Sequence, residues 1–172
     1  VNNPTMGSVN GPVTGKYPYG TEMLFVAVPA NHYHFEGWTG DFEAPETLIG
    51  FEMTQDYDIL ASFAITTHQL TVGIVDGDEE LGTVNSNVSG TYAYGTSIDV
   101  MAMPNDGFSF TRWSDGQTAA TRTITMGEND IDIKADFDTI YYNVNVVVNN
   151  DTMGEILGAQ NAYVWHDVVT FT

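Results

Sequence analysis

The sequence predicts a mainly β protein made of tandem small β modules, β-grasp-like or small β-sandwich in architecture, with little or no helix. Three observations carry that prediction. Leu81 to Trp113 repeats the frame of Met6 to Trp38 without a gap, with Gly7/Gly82, Tyr17/Tyr92, Tyr19/Tyr94, Gly20/Gly95, Pro29/Pro104, Phe35/Phe110 and Trp38/Trp113 each 75 positions apart (113 − 38 = 75). A third copy opens at Tyr141, and its VNNDTMG (Val148 to Gly154) matches VNNPTMG (Val1 to Gly7) at six of seven positions. Apolar residues alternate with period two along each copy, and no stretch of the complete copy sustains a helical period. Self-similarity at a fixed period makes each unit one folding module. The expected boundaries are repeat 1 over 1–65 with its first strand missing, a complete repeat 2 over 66–139, and the N-terminal part of repeat 3 over 140–172.

The complete copy justifies the elements in order. HQLTVGIV (His68 to Val75) alternates Leu70, Val72 and Ile74 with polar or small residues, the pattern of a half-buried strand. YYNVNVVV (Tyr141 to Val148) stands in the same place in the third copy. DGDEELG (Asp76 to Gly82) supplies a turn and LGTVNSNV (Leu81 to Val88) a returning strand, so the first two strands are expected to form a hairpin. A tight turn at Gly95 precedes a strand with Ile98, Val100 and Ala102 on one face, matched by Met23, Phe25 and Ala27 in the first copy. Pro29 and Pro104 end that strand, because proline cannot donate to a central ladder. NDGFSFTRW and NHYHFEGW lead to the tryptophan, and TRTITM and DIDIKADF supply a last pair of strands. Only DFEAPETLIG (Asp41 to Gly50) has room for a helical turn.

Composition narrows the partners. The 42% apolar and 12% aromatic content is that of a folded chain. Against 23 acidic residues stand only Lys16, Arg112, Arg122 and Lys134, for a net charge of −19. Such a surface repels phosphate backbones and anionic lipid, which disfavours nucleic acid and direct membrane insertion as partners. The absence of cysteine rules out disulfides and thiolate metal sites. No apolar run reaches the ~18 residues of a membrane span.

The order G-x-V, Y-x-Y-G, a strand ending in proline, G-F-x-F-x-x-W, T-x-T-M and A-D-F resembles the internalin B-repeat family in its divergent branch. Those elements are Gly82 to Val84, Tyr92 to Gly95, Pro104, Gly107 to Trp113, Thr123 to Met126 and Ala135 to Phe137. The first copy carries Gly7 to Val9, Tyr17 to Gly20, Pro29, Tyr33 to Trp38, Met53 and Ala61 to Phe63. It departs from the pattern at Asn31-His32, which replaces a glycine before Tyr33, as Arg112 in the second copy replaces the glycine found at Gly37. The resemblance implies a small β-grasp-like fold and a setting in bacterial, and some archaeal, extracellular and cell-surface proteins. It transfers no catalytic residue.

DGDEE (Asp76 to Glu80) lacks the spacing and the twelfth-position glutamate of a calcium loop, so calcium is suggested by carboxylate content without a motif, and no cofactor is expected. His32 and His34, two apart, could share a strand face as metal ligands, but two histidines do not make a site and no metal is assigned. No nucleophile context or repeated carboxylate pair points to an enzyme. The tyrosine pairs Tyr17 and Tyr19, Tyr92 and Tyr94, with Tyr163 and Trp165, could form an aromatic platform for sugar rings, against the plainer role of packing. Phe35, Trp38, Phe63, Phe110, Trp113 and Phe137 are expected as core anchors.

These readings point to a non-catalytic extracellular tandem-repeat module acting as a stalk or spacer in a cell-surface, adhesin-like protein. Its partners would be adjacent repeats of the same chain. The alternatives are a module that recognises a carbohydrate or host-matrix protein, and a fibre or decoration component of a filament or virus particle.

Overall fold

The computed structural model describes residues 1–77, 79–145 and 163–164. It is a β structure whose only helical elements, among the described residues, are two three-residue 3-10 turns at Val75–Gly77 and Ser86–Val88. Contacts divide it into two units. Unit 1 comprises Val1–His68 with Tyr92–Thr96 and Gly127–Asn129, and unit 2 comprises Gln69–Thr91, Ser97–Met126 and the residues from Asp130 onward.

In unit 1, β1 (Gly7–Asn10), β2 (Glu22–Pro29) and β4 (Leu48–Glu52) form one antiparallel sheet with β2 central. The strands β3 (Tyr33–Gly40) and β5 (Ile59–Ile65) form a second antiparallel pair. The period-two pattern of β2 turns Met23 and Ala27 inward, and the proline at position 29 closes the strand. Between the sheets lies a core of Ala27, Trp38, Ile49, Ala61 and Phe63, with Phe25, Phe35 and Phe51 packed against it. The Phe35 ring stands edge-on to both Trp38 and Phe63, at 5.6 Å between centroids in each case. Trp38 fixes the following loop by donating its indole N–H to the Glu46 carbonyl at 3.0 Å and its backbone N–H to the Ala44 carbonyl at 2.8 Å. Those bonds hold Asp41 to Gly50 in an open loop and a strand, where the sequence had room for a helical turn.

In unit 2, β6 (Thr67–Ile74), β8 (Gly90–Ala93), β10 (Phe108–Trp113) and β12 (Ile131–Thr139) form a sheet in the order β10-β12-β6-β8. A second sheet has the order β11-β9-β7, from β7 (Gly82–Val84), β9 (Ser97–Pro104) and β11 (Thr121–Thr125). Strand β9 buries Ile98, Val100 and Ala102, and β12 buries Ile133, Ala135 and Phe137 while Asp132, Lys134 and Asp138 face water. Trp113 is fully buried and donates its indole N–H to the Ala119 carbonyl at 2.9 Å, the counterpart of the Trp38 bond. A short antiparallel pair, β13 (Tyr141–Tyr142) with β14 (Tyr163–Val164), follows.

The expected hairpin between the first two strands of the complete copy does not form. Strand β6 runs parallel to β12, with Leu70 opposite Ile131 and Ile74 opposite Ala135, and carries β8 on its other edge. With both edges occupied, β6 has no ladder left for β7, which pairs with β9 instead. The chain leaves β6 through the Val75–Gly77 turn, where Asp76 takes the left-handed conformation (φ 57°). The last two strands are likewise not partners: β11 pairs with β9, and β12 lies between β10 and β6.

One contact recurs in both units. A Cβ added to Gly7 would lie 2.7 Å from the Phe63 ring, and one added to Gly82 would lie 2.6 Å from the Phe137 ring and 2.9 Å from the Met103 carbonyl oxygen. Gly82→Ala should therefore destabilise unit 2 by roughly 1–3 kcal/mol, the range for overpacking a filled core. Gly73→Ala, whose added Cβ would meet only the Lys134 side chain at 3.8 Å, should leave the urea midpoint unchanged or slightly raised. Parallel urea titrations of the two variants check the contrast.

Candidate functional site

The tyrosine pairs are placed by the chain that precedes β2 in unit 1 and by β8 with its Gly95 turn. Tyr17 folds back on its own loop, donating its hydroxyl to the Val13 carbonyl at 2.6 Å, while Tyr19 is 84% exposed. Both line one open groove of about 610 Å³ with Lys16, Thr54, Gln55 and Asp56. In the second copy Tyr92 and Tyr94 are half-buried. The Tyr94 face is covered by the His32 imidazole, 3.5 Å away between centroids and nearly coplanar at 6°. A ring stacked in this way has one face left for any ligand. Tyr163 lies in β14, opposite Tyr142, and Trp165 lies outside the described residues.

The structure separates the two histidines read as possible ligands. His32 occupies the turn before β3 in a left-handed conformation (φ 67°), and His34 is on β3, exposed. The equivalent turn residue of the second copy is Gly107 (φ 88°), which takes the same conformation without a side chain to strain it. His32 Nδ1 lies 3.4 Å from a Glu128 carboxylate oxygen, and a small cavity of about 220 Å³ beside it is lined by His32, Thr66, His68, Tyr94 and Glu128. Among the described residues no group of three or more histidine and carboxylate side chains is placed to hold a metal ion.

A charged arrangement in unit 2 went unnoticed in the sequence. The register of β9 with β11 sets Arg122 opposite Val100, and that of β2 with β4 sets Ile49 opposite Phe25, so Arg122 stands where the first copy buries an isoleucine. Its guanidinium lies over the Trp113 ring, 5.7 Å from the centroid, and donates two hydrogen bonds to Asp115, at 2.9 and 2.5 Å. Asp115 in turn stands where the first copy has Gly40 (115 − 75 = 40). The covarying pair of differences between copies was the available signal. The planar fork satisfies both carboxylate oxygens and shields the indole face, so an arginine serves at an aliphatic position. These hydrogen bonds from Arg122 hold the Asp115 carboxyl below the ordinary carboxylate range.

A depressed carboxyl pKa contributes stability above the ordinary carboxylate range, and that contribution is lost as pH falls through the folded-state value. Asp115→Asn should accordingly lower the stability of unit 2 at neutral pH, by less than about 1 kcal/mol for a pair this exposed. The gap between variant and parent should narrow as the pH drops below the ordinary carboxylate range and close once it passes the lowered value at which Asp115 protonates in the folded parent. Paired melts from pH 7 down to about pH 3 measure the gap, and the variant cancels the titration common to all other carboxylates.

No curated protein matches the chain. The divergent InlB B-repeat domain model matches it twice, over residues 1–67 and 74–141. The matched segments contain the Trp38 and Trp113 clamps and the two glycine–phenylalanine contacts, the features the copies share in three dimensions. The chain therefore belongs to the divergent InlB B-repeat domain family, with two tandem copies in this sequence.

Proposed function

We propose that this chain is a non-catalytic, extracellular stalk or spacer module of a cell-surface, adhesin-like protein. The observation that carries the reading is where the copies agree. Gly7/Gly82, Trp38/Trp113, Phe35/Phe110 and Phe63/Phe137 are kept, whereas outward positions change freely: Glu22, Leu24 and Glu52 of unit 1 answer to Ser97, Asp99 and Thr125 of unit 2. Repetition that preserves a core and releases the surface serves a scaffold. The association of InlB-like repeats with bacterial surface proteins supports the setting. Among the described residues no helix is long and apolar enough to cross a membrane.

Tandem modules in contact only with their neighbours add length copy by copy. In small-angle scattering of chains carrying one, two and four copies, the maximum dimension should rise by a constant increment per copy. A particle that instead stays compact as copies are added overturns the spacer.

One observation favours a second reading, recognition of a carbohydrate. The groove of unit 1 is lined by the exposed Tyr19 together with Gln55, Asp56 and Lys16, residue types that can stack on and hydrogen-bond to a sugar ring. On a glycan array the spacer is silent. Binding that Tyr19→Ala abolishes without moving the melting temperature establishes recognition instead.

A further inference from the structure

The loop that follows the core tryptophan differs in length between the copies. The Trp38 N–H donates to the Ala44 carbonyl and the Trp113 N–H to the Gln117 carbonyl, so the second loop is two residues shorter (44 − 38 = 6 against 117 − 113 = 4). In unit 1 the longer loop closes on its own sheet. Asp41 donates its N–H to the Asp58 carbonyl at 2.8 Å, and its carboxylate accepts the Asp58 N–H at 2.8 Å. The next residue, Phe42, stacks on Phe51 at 5.5 Å between centroids, and Phe51 lies 4.6 Å from Tyr57. Gly40 (φ 104°) permits this approach, since a Cβ there would overlap the Asp58 carbonyl oxygen.

Unit 2 has no such filling. Asp115 stands at the Gly40 position, where a side chain cannot make the same approach, and its carboxylate turns to Arg122 instead. The chain then doubles back at Gly116 (φ 88°), whose N–H donates to the Trp113 carbonyl at 2.8 Å. What remains is an open groove of about 670 Å³, lined by Asp115, Gln117, Ile124, Asp130, Ile131 and Asp132 among others, all of unit 2. Ile124 and Ile131 answer to Phe51 and Tyr57 (124 − 73 = 51; 131 − 74 = 57), the rings that the Asp41–Phe42 corner covers in unit 1.

The groove also contains an open length of strand edge. Lys134 donates its N–H to the Ser114 hydroxyl at 3.0 Å, and its carbonyl accepts the Ser114 N–H at 2.8 Å. Alternation along β12 turns the Asp132 N–H and carbonyl to the same edge, and among the described residues none bonds them. Asp132 answers to Asp58 (132 − 74 = 58), whose N–H and carbonyl Asp41 satisfies in unit 1. The charge around this edge selects the occupant. Asp115, Asp130 and Asp132 line the groove with Arg122, whose guanidinium is committed to Asp115. A second negative charge is repelled there and a positive one attracted. A residue paired with Asp132 sets its side chain beside the Asp132 carboxylate on the outer face, and the residue next to it points inward.

We propose that the groove of unit 2 docks an extended segment of another protein that carries a basic residue next to an aromatic one. The basic residue pairs its main chain with Asp132 and sets its charge beside the carboxylates of Asp132 and Asp130. The aromatic ring takes the place that Phe42 fills in unit 1, against Ile124 and Ile131. Main-chain pairing supplies affinity and the two side chains supply selectivity, the division found where a strand is added to a sheet edge. Unit 1 cannot bind the same segment, because its own Asp41 and Phe42 already occupy the equivalent place.

The test titrates the full chain, labelled for NMR, with the capped peptide TKFKT and with TKAKT and TEFET as comparisons. TKFKT should shift the amides of Ile124, Ile131 and Asp132 saturably, within the millimolar range of a contact this small, up to about 5 mM. The equivalent amides of Phe51, Tyr57 and Asp58 should stay in place. Neither comparison peptide should reproduce the shifts. Replacing Ser114 to Gly116 with TGDFE, the sequence of residues 39–43, should fill the groove from within and abolish them. Where that graft does not fold, the contrast between TKFKT and TKAKT in the parent chain decides alone. No shift with TKFKT, equal shifts with TKAKT, or shifts spread over the acidic faces of both units overturns the proposal. Shifts at the same amides that grow with protein concentration in the absence of peptide make a second copy of this chain the occupant, and overturn the assignment to another protein.

Discussion

The contact on which each unit depends is a phenylalanine ring lying against a glycine. Gly7 begins β1 and Phe63 sits in β5; Gly82 begins β7 and Phe137 sits in β12. In each unit the two residues belong to different sheets, so the missing Cβ sets how closely the sheets approach. A Cβ built on either glycine would fall 2.7 or 2.6 Å from the ring, which leaves no space for even a methyl group. The tryptophan completes the arrangement from the side. Its indole is packed by Phe35 or Phe110 and its N–H is bonded to the loop that covers it. A buried indole N–H requires a partner, and the loop carbonyl supplies one in both copies.

Given that frame, the differences between copies become interpretable. Ile49 and Arg122 occupy one site with opposite chemistry, and the second copy tolerates the arginine because Asp115 and the Trp113 face neutralise and cover it. His32 and Gly107 occupy one turn, and the histidine holds a backbone conformation that glycine adopts freely while its ring packs on Tyr94. Each substitution is local and leaves the glycine–phenylalanine contact untouched.

Much of the fold was legible in the sequence because burial in a sheet has a period of two. The inward rows Ile98, Val100, Ala102 and Ile133, Ala135, Phe137 stand in the pattern as they stand in the structure, and the prolines at 29 and 104 mark strand ends. Pairing was less legible. Strand β6 looked like the first arm of a hairpin because β7 is its neighbour in sequence, yet its partner β12 lies about sixty residues on (131 − 70 = 61). Alternation reports which face is buried and carries no information about which edge is bonded. The candidate site was legible only in part. The tyrosine spacing was visible, but the His32 stack and the Arg122–Asp115 pair depend on residues far apart in the chain. The Asn2 bracket of Phe63, likewise at a separation of 61 residues, has no local signature at all.

A parallel pairing between the first and last strands of a module has a consequence for any array of such modules. An antiparallel hairpin closes locally and survives a cut elsewhere in the repeat. The pairing of β6 with β12 instead joins the two ends of the unit, so its sheet is complete only when both are present. Unit 1 keeps its glycine–phenylalanine contact, its tryptophan clamp and its two antiparallel sheets without such a strand, because these are formed within residues 1–68. The core therefore specifies the fold, and the parallel strand seals it.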